Sequence, residues 1–553
     1  MLNIRKTCLF VCLFVFLCSI AQTNANQKID ELLASYVSND KPGLSIKVIN
    51  QGQSIYSKGF GLSNLDYNIK NSDSTVFSLA SIAKQFTASA IWALANDGKI
   101  NLDDDIRMYL PEFPEYEETI RIKHLLNHTS GIRNYHTLMY LAGFDYDTQY
   151  YDNNSVLDLA IKQKNLNHLV GEKVSYSNTN YNLLAIIIER ISGQNLNEYL
   201  KHKILNPLKM NSTFVRVEHG KPIKNKAVGY KRNQVGYKFN TNDQLSYGAG
   251  SMGSSVNDMA IWMQMLNTQI LEFKPLAEFL KTPETLISGK KAKYARGLML
   301  DNYKGYETLN HNGFGFGGRS QLITVLEKQI GIIVLTNSQE IDAPRIAYQI
   351  LDILIENDER IKNETEEEEE MVFKAQKFKE FIGEYKEINS DMTMKIFVEK
   401  DSLKSIGSMG RTSTALVQYD ENKFHRAQSQ NVKFDFTPSA SHDMIISFGG
   451  TPFYFEHAKF IDAESVDISH FTGKFYSEEL DVIYHLFIED ETLKLTYKGN
   501  GNISLHAVQL NDFGNNDRTL YHFLKDENDK VTGMFLSCDG TVKEIVFKKE
   551  KDR

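Results

Sequence analysis

The chain has 553 residues, with 62 Lys and Arg against 70 Asp and Glu, a formal charge of -8 and 42% apolar residues. That length exceeds what one core fills and points to about three domains at the usual ~100–200 residues each. The composition is that of a soluble globular protein, and its mildly acidic balance lacks the basic footprint of a nucleic-acid binder.

The first 25 residues depart from that composition. Arg5 and Lys6 precede an apolar run from Cys8 to Ile20, and Thr23-Asn24-Ala25 supplies small residues for cleavage, the pattern of a secretory signal peptide over 1–25. The apolar run is about 13 residues, short of the roughly 20 that span a bilayer. The expected product is therefore exported, periplasmic or secreted, with no membrane span after cleavage. Cys8, Cys12 and Cys18 would leave with the peptide, so the mature chain keeps Cys538, can form no internal disulfide and must rely on its core.

Over 26–357 the pattern mixes strands and helices. Leu44–Ile49 and Ser54–Gly61 read as a hairpin joined through Asn50-Gln51-Gly52, and Gln321–Leu326 with Ile330–Thr336 reads as a second apolar hairpin. Helical spacing is expected at Ser81–Asp97, Leu183–Ile191, Val256–Leu266 and Arg345–Glu356. Strands at both ends of the span with helices between suggest one sheet closed by its termini.

Ser81 opens the first of those helices and Lys84 lies three residues on, hence on the same face. An amine desolvated there would have a lowered pKa and could take the serine proton, while the helix N-terminus favours a developing oxyanion. Further on, Tyr176-Ser177-Asn178 sits in a polar loop entering an apolar helix. A tyrosine near Lys84 could act as general base and acid, and the Asn178 amide could bind a substrate carbonyl. The bland alternative is a helix cap, with Asn178 or Thr179 as cap and Tyr176 packed. His311-Asn312-Gly313-Phe314 lies in a glycine-rich stretch just before the last hairpin, where glycine permits close backbone approach and His311 could orient a leaving group or assist Tyr176. Two competing patterns carry less. Ser251 is one residue from a nucleophile elbow but follows no apolar strand, and His124 and His128 are spaced like zinc ligands without the following glutamate, so a structural role is expected for both.

Glu366–Glu370 marks an acidic linker over 358–372. Beyond it the chain repeats. Phe381-Ile382-Gly383-Glu384-Tyr385 returns as Phe471-Thr472-Gly473-Lys474-Phe475, Phe397–Lys404 returns as Phe487–Lys494, and Val417-Gln418 returns as Val508-Gln509. Short strands between turns, repeated at constant spacing, predict two similar all-β domains over 373–463 and 464–553, each a small barrel or sandwich. Their histidines (His425, His442, His457, His470, His485, His506, His522) are scattered, and no metal site is expected. With no catalytic cluster in the tail, the sequence predicts that a chain ended near Asn357 folds alone and keeps its chemistry.

In their order and on these elements, Ser81-x-x-Lys84, Tyr176-x-Asn178 and His311-Asn312-Gly313 resemble the three motifs of the penicillin-recognising serine hydrolases, closest to the class C β-lactamase and D-alanyl-D-alanine carboxypeptidase family with its esterase and D-aminopeptidase relatives. Gly59–Leu62, Ile122–Ile132, Asn206–Met210 and Gly248–Ser254 agree with that pattern. The resemblance implies an α/β (α+β) β-lactamase/transpeptidase-like domain, with Ser81 as acylated nucleophile and Lys84 and Tyr176 as the proton-transfer pair. It implies that Asn178 is a substrate ligand, and that the backbone amides of Ser81 and Phe314 form the oxyanion hole. His311 replaces the more usual lysine, and Asn312 stands where a hydroxyl residue helps hold a substrate carboxylate, so the site carries less positive charge unless Arg319 compensates. No cofactor is implied, and the partner is a small-molecule or peptide substrate. The tail domains resemble the lipocalin-like barrels of D-aminopeptidase-type members. The expected function is an exported serine hydrolase acting through an acyl-enzyme on a peptide, amide or ester bond. The alternative is a binding or sensing protein that keeps the fold without turnover.

Overall fold

The computed structural model describes residues 24–358, 360 and 375–551, apart from 147, 242–243, 400–401, 409–411, 428, 440–441, 449–450, 459–465 and 499. The expected signal peptide lies outside the described residues but for its last two positions, as does the acidic linker but for Asp358 and Arg360. The chain divides into two compact units. One comprises the residues up to 102 with 181–284 and 291–370, and the other 103–180, 285–290 and 371–553. The span 26–357, which reads in the sequence as one domain, contributes to both.

The first unit is built on a six-stranded sheet. Its strands are β1 (Leu44–Asn50), β2 (Gln53–Phe60), β3 (Met299–Tyr303), β4 (Tyr306–Gly315), β5 (Gly318–Val325) and β6 (Ile330–Thr336), in the order β3-β4-β5-β6-β1-β2. The two expected hairpins are present, and β1 pairs antiparallel with β6 from Leu44↔Thr336 to Asn50↔Ile330, so early and late strands close one sheet. All seven residues of β6 are buried, which is why it reads as an unbroken apolar run rather than an alternating one. One sheet face packs against α1 (24–34) and α6 (Ala343–Ile355) through Ile29, Leu33, Ile46, Val48, Ile332, Val334, Ile346 and Ile350. Each such side chain contributes about 1.5–3 kcal/mol on burial. Elsewhere in this unit, α2 (Lys84–Asn96) and α5 (Val256–Leu266) lock together, with Phe86 stacked on Trp262 at 4.1 Å and the indole N–H donating to Gln85 at 2.8 Å.

The second unit holds two closed barrels, each of eight strands in chain order. The first runs from Gly383–Glu387 to Thr451–His457 and closes at Tyr385↔His457; the second runs from Gly473–Ser477 to Val542–Lys549 and closes at Phe475↔Lys549. The sequence repeat is also a repeat in space. Gly383 and Gly473 open equivalent strands, and the ion pair Lys404–Glu399 recurs as Lys494–Glu489. The same unit contains α3 (Tyr135–Leu141), whose Leu138 and Leu141 belong to the core of the second barrel beside Tyr484, Leu486 and Phe547. The tail is thus not a free appendage of residues 26–357. Among the described residues no helix is long and apolar enough to cross a membrane.

Candidate active site

Ser81 lies on a single 3-10 turn, Ala80–Ala83, that runs into α2; the helix begins at Lys84 rather than at the serine. The residue before the serine, Ala80, has φ +45°, a left-handed conformation costly for any residue with a Cβ. What holds it is the sheet. The Ser320 hydroxyl on β5 donates to the Leu79 carbonyl at 2.8 Å, and Gly313 on β4 packs so closely that a Cβ there would meet that same carbonyl oxygen at 2.4 Å. Gly313 therefore serves the turn that carries Ser81. Gly297, at φ +87°, lets the chain pass over the start of α2, where a Cβ would lie 2.6 Å from the Gln85 nitrogen.

Lys84 is fully buried, and its Nζ lies 3.1 Å from Ser81 Oγ while donating to the Ala249 carbonyl at 2.8 Å. Its Nζ also lies 5.7 Å from the centre of the Tyr181 ring. Desolvation holds the amine well below the ordinary lysine range, because a buried ammonium forfeits its hydration. The pairing expected from the three-residue spacing is present, and burial shifts the amine toward the form that can accept a proton.

Along β4 the side chains alternate, with His311 and Gly313 buried and Asn312 and Phe314 exposed. His311 Nδ1 is 2.6 Å from the Asn312 carbonyl, which can only accept, so Nδ1 carries the hydrogen and Nε2, 3.1 Å from the Tyr294 hydroxyl, accepts. Burial first, and then the nearby Lys84, pushes the imidazole down to about 3 against the opposing hydrogen bond to the Asn312 carbonyl. His311 is thus a neutral ring at physiological pH and does not replace the charge of a lysine. Arg319, opposite Phe314 in the β4–β5 register, has its guanidinium 5.5 Å from the Phe314 ring centre and 3.6 Å from Asp342. That carboxylate offsets the charge through which Arg319 would compensate.

The Tyr176-Ser177-Asn178 motif belongs to the second unit, at the start of α4 (Asn178–Ser192). Tyr176 is half-buried with its ring 4.4 Å from that of His128. His128 Nδ1 faces the Ser177 N–H at 3.3 Å and the Asn180 amide nitrogen at 3.2 Å, and Ser130 donates to Asn180 at 2.8 Å. The Asn178 backbone N–H and its side-chain amide both donate to Asn134 Oδ1, at 3.0 and 3.3 Å. The segment Ile122–Ile132 is therefore the bed of this motif, and His128 has the structural part expected of it. His124, whose Nδ1 accepts from the Arg121 N–H at 3.1 Å, is pushed down to about 4, chiefly by burial. Ser251, at φ +55°, donates its hydroxyl to the Ser246 carbonyl at 3.0 Å. Among the described residues no three His, Cys, Asp or Glu side chains group as a metal site.

Sequence reasoning missed Tyr294, which nothing in its neighbourhood distinguishes, and the carbonyl of Ala249, which lies inside the quoted Gly248–Ser254 block. The division is also plain: Ser81, Lys84 and His311 are in the first unit, while Tyr176 and Asn178 are in the second.

Comparison with known proteins adds two relatives and one solved structure of similar fold. Protein flp of Staphylococcus aureus strain N315 is 29% identical over 341 residues, covering 59% of this chain and 66% of that protein. A D-aminopeptidase of Gluconobacter oxydans strain 621H is 27% identical over 299 residues, covering 54% of this chain and 56% of its own. The chain thus spans less than two thirds of the length of these relatives. Among solved structures, the octameric penicillin-binding protein homologue from Pyrococcus abyssi matches with a TM-score of 0.54 at 23% identity, over 85% of this chain and 98% of that one, a likeness of fold. The Beta-lactamase family model matches residues 25–355, more than half of the chain, which on that ground belongs to the Beta-lactamase family.

Proposed function

We propose that the protein is an exported serine hydrolase that forms an acyl-enzyme at Ser81 and acts on amide or ester bonds. One observation carries this reading: a fully buried lysine amine, held low by desolvation, 3.1 Å from the hydroxyl of a serine on a constrained turn. In the acylation step Ser81 Oγ bonds to the scissile carbonyl carbon as its proton passes to Lys84 Nζ, and the carbonyl electrons move onto oxygen. The backbone amides of Ser81 and Phe314 are assigned to that oxyanion on their motif positions. Collapse breaks the bond to the leaving amine or alcohol, which takes up the proton, and water then releases the acyl group by the same steps. Tyr176 is assigned the second proton-transfer part and Asn178 the substrate carbonyl, both on the resemblance of the motif. The ring of Tyr181, five residues after Tyr176, also lies beside Lys84.

The substrate is read as lacking a carboxylate next to the scissile bond. A neutral His311 and an Arg319 paired with Asp342 supply little positive charge, and likeness to a D-aminopeptidase supports an amide of that kind. The test is intact-protein mass spectrometry over time with a penicillin, a D-alanyl peptide, a D-amino acid amide and a short-chain nitrophenyl ester. Transient acylation by the amide and ester, absent in Ser81→Ala, is expected. A persistent adduct without turnover would favour the sensing alternative, and no adduct with any probe would overturn the reading.

A further inference from the structure

The second barrel touches the Tyr176-Ser177-Asn178 motif through one short segment. Arg133 is wholly buried, and its guanidinium donates to Glu479 at 2.6 Å, to Gln163 Oε1 at 3.1 Å and to the Lys543 carbonyl at 2.6 Å. Glu479, on the loop after the barrel's first strand, is itself 2% exposed and accepts also from the Lys164 N–H at 2.9 Å. The backbone carbonyl of the same Arg133 accepts from the Thr179 hydroxyl at 2.7 Å and the Ser177 hydroxyl at 3.3 Å. Its neighbour Asn134 repeats the arrangement. The N–H of Asn134 donates to the Thr541 carbonyl on the barrel's last hairpin turn at 3.2 Å, while its side chain receives both Asn178 donors.

Each of two adjacent residues therefore holds the barrel with one group and the motif with another. A buried ion pair is weak evidence for stability, since desolvation offsets most of its attraction, and well-packed apolar residues often do as well. Its geometry is specific, however, and an apolar pair would not fix the height and tilt of the Arg133 backbone against the helix start. We infer that Arg133 and Glu479 are positioning residues for Tyr176 and Asn178, so that the second barrel is part of the active-site scaffold. This rests on the reading of Tyr176 and Asn178 as site residues.

The test uses the full chain, with the nitrophenyl ester as probe and melting curves alongside. Arg133→Met/Glu479→Leu replaces the pair with apolar volume, and Arg133→Lys keeps a charge beside Glu479 but loses the fork that also reaches Gln163 and the Lys543 carbonyl; either one that melts near the parent answers the question. The expected result is a fall in kcat of about 10–100-fold, since small misplacement of catalytic groups costs on that order, with KM little changed. Made in a Tyr176→Phe background, the same change should cost clearly less than in the parent, because the part of its effect that passes through Tyr176 is already gone. Unchanged kcat in a folded variant, or a full multiplicative loss in the Tyr176→Phe background, would overturn the inference. Tyr176→Phe and Ser81→Ala run in parallel separate the two claims. If they keep full activity, the reading of the site falls; if they lose it and the barrel variants do not, only this inference does.

Discussion

At the scale of single residues, Lys84 and His311 show how burial decides chemistry. A lysine in water is charged until about pH 10 and useless as a base near neutrality. Buried at 3.1 Å from Ser81, it is held neutral over a larger part of the pH range, so acylation should rise with pH through that lowered pKa. Lys84→Met keeps the packing and removes the amine; the ester acylation rate should fall by about 10²–10⁴-fold, with the melting temperature kept or raised. His311 contributes no limb near neutrality, because its ring is already neutral well above about 3. It does contribute to stability. Between about 3 and the unfolded value near 6.5 the unfolded chain binds the proton that the folded one refuses, so stability is lost as pH falls through that window, at up to about 1.4 kcal/mol per pH unit. Gln at this position offers a donor to Asn312 and an acceptor to Tyr294 without titrating. Denaturant melts of His311→Gln from pH 6.5 to 5 should therefore lose less stability than the parent; an identical slope would place the uptake elsewhere.

At the scale of elements, the turn Ala80–Ala83 is organised by the sheet rather than by its own residues. The left-handed Ala80 has no local justification, and Ala80→Gly should be neutral or stabilising by up to about 1 kcal/mol, since removal of the Cβ strain offsets the added chain entropy. Gly313→Ala should do the opposite. Its Cβ would press on the Leu79 carbonyl, forcing β4 away from the turn, and the expected outcome is about 1–3 kcal/mol of lost stability with slower acylation at Ser81. The pair of variants separates strain that the turn tolerates from contact that it requires. A Gly313→Ala protein with parent stability and acylation would show that the sheet does not hold the serine.

At the scale of the molecule, the second unit joins residues 103–180 to both barrels. Leu138 and Leu141 lie in the core of the second barrel, where the Tyr484 hydroxyl also donates to the Leu141 carbonyl at 2.7 Å. The sequence predicts that a chain ended near Asn357 keeps its chemistry, and the structure gives reason for the reverse. Such a chain would expose those leucines and take from the Arg133 guanidinium both Glu479 and the Lys543 carbonyl, so residues 103–180 would lose core and anchor together. The expected outcome is insoluble protein or protein that no longer acylates, read by solubility and intact mass. In the full chain, Leu138→Ala should cost about 2–5 kcal/mol in a denaturant melt, the signature of a core position.

Much of this protein was determined by sequence alone, wherever the deciding interaction is local or periodic. Unbroken or alternating apolar runs gave both hairpins of the sheet, the helices at Ala343–Ile355 and Val256–Leu266, and the repeated strands of the two barrels, because strand and helix periods are written in consecutive residues. The Ser81–Lys84 pair was legible for the same reason, as three-residue spacing fixes a shared face. What only the tertiary structure decided depends on groups far apart in the chain. The 3-10 start of the helix depends on Gly313 and Ser320, more than two hundred residues downstream. The neutral state of His311 depends on burial and on Lys84, and the bed of Tyr176 on His128. The tie from Arg133 to Glu479 spans 346 residues and leaves no periodic trace, because a buried charge needs a partner in space and nothing in the sequence says which carboxylate the fold will bring to it.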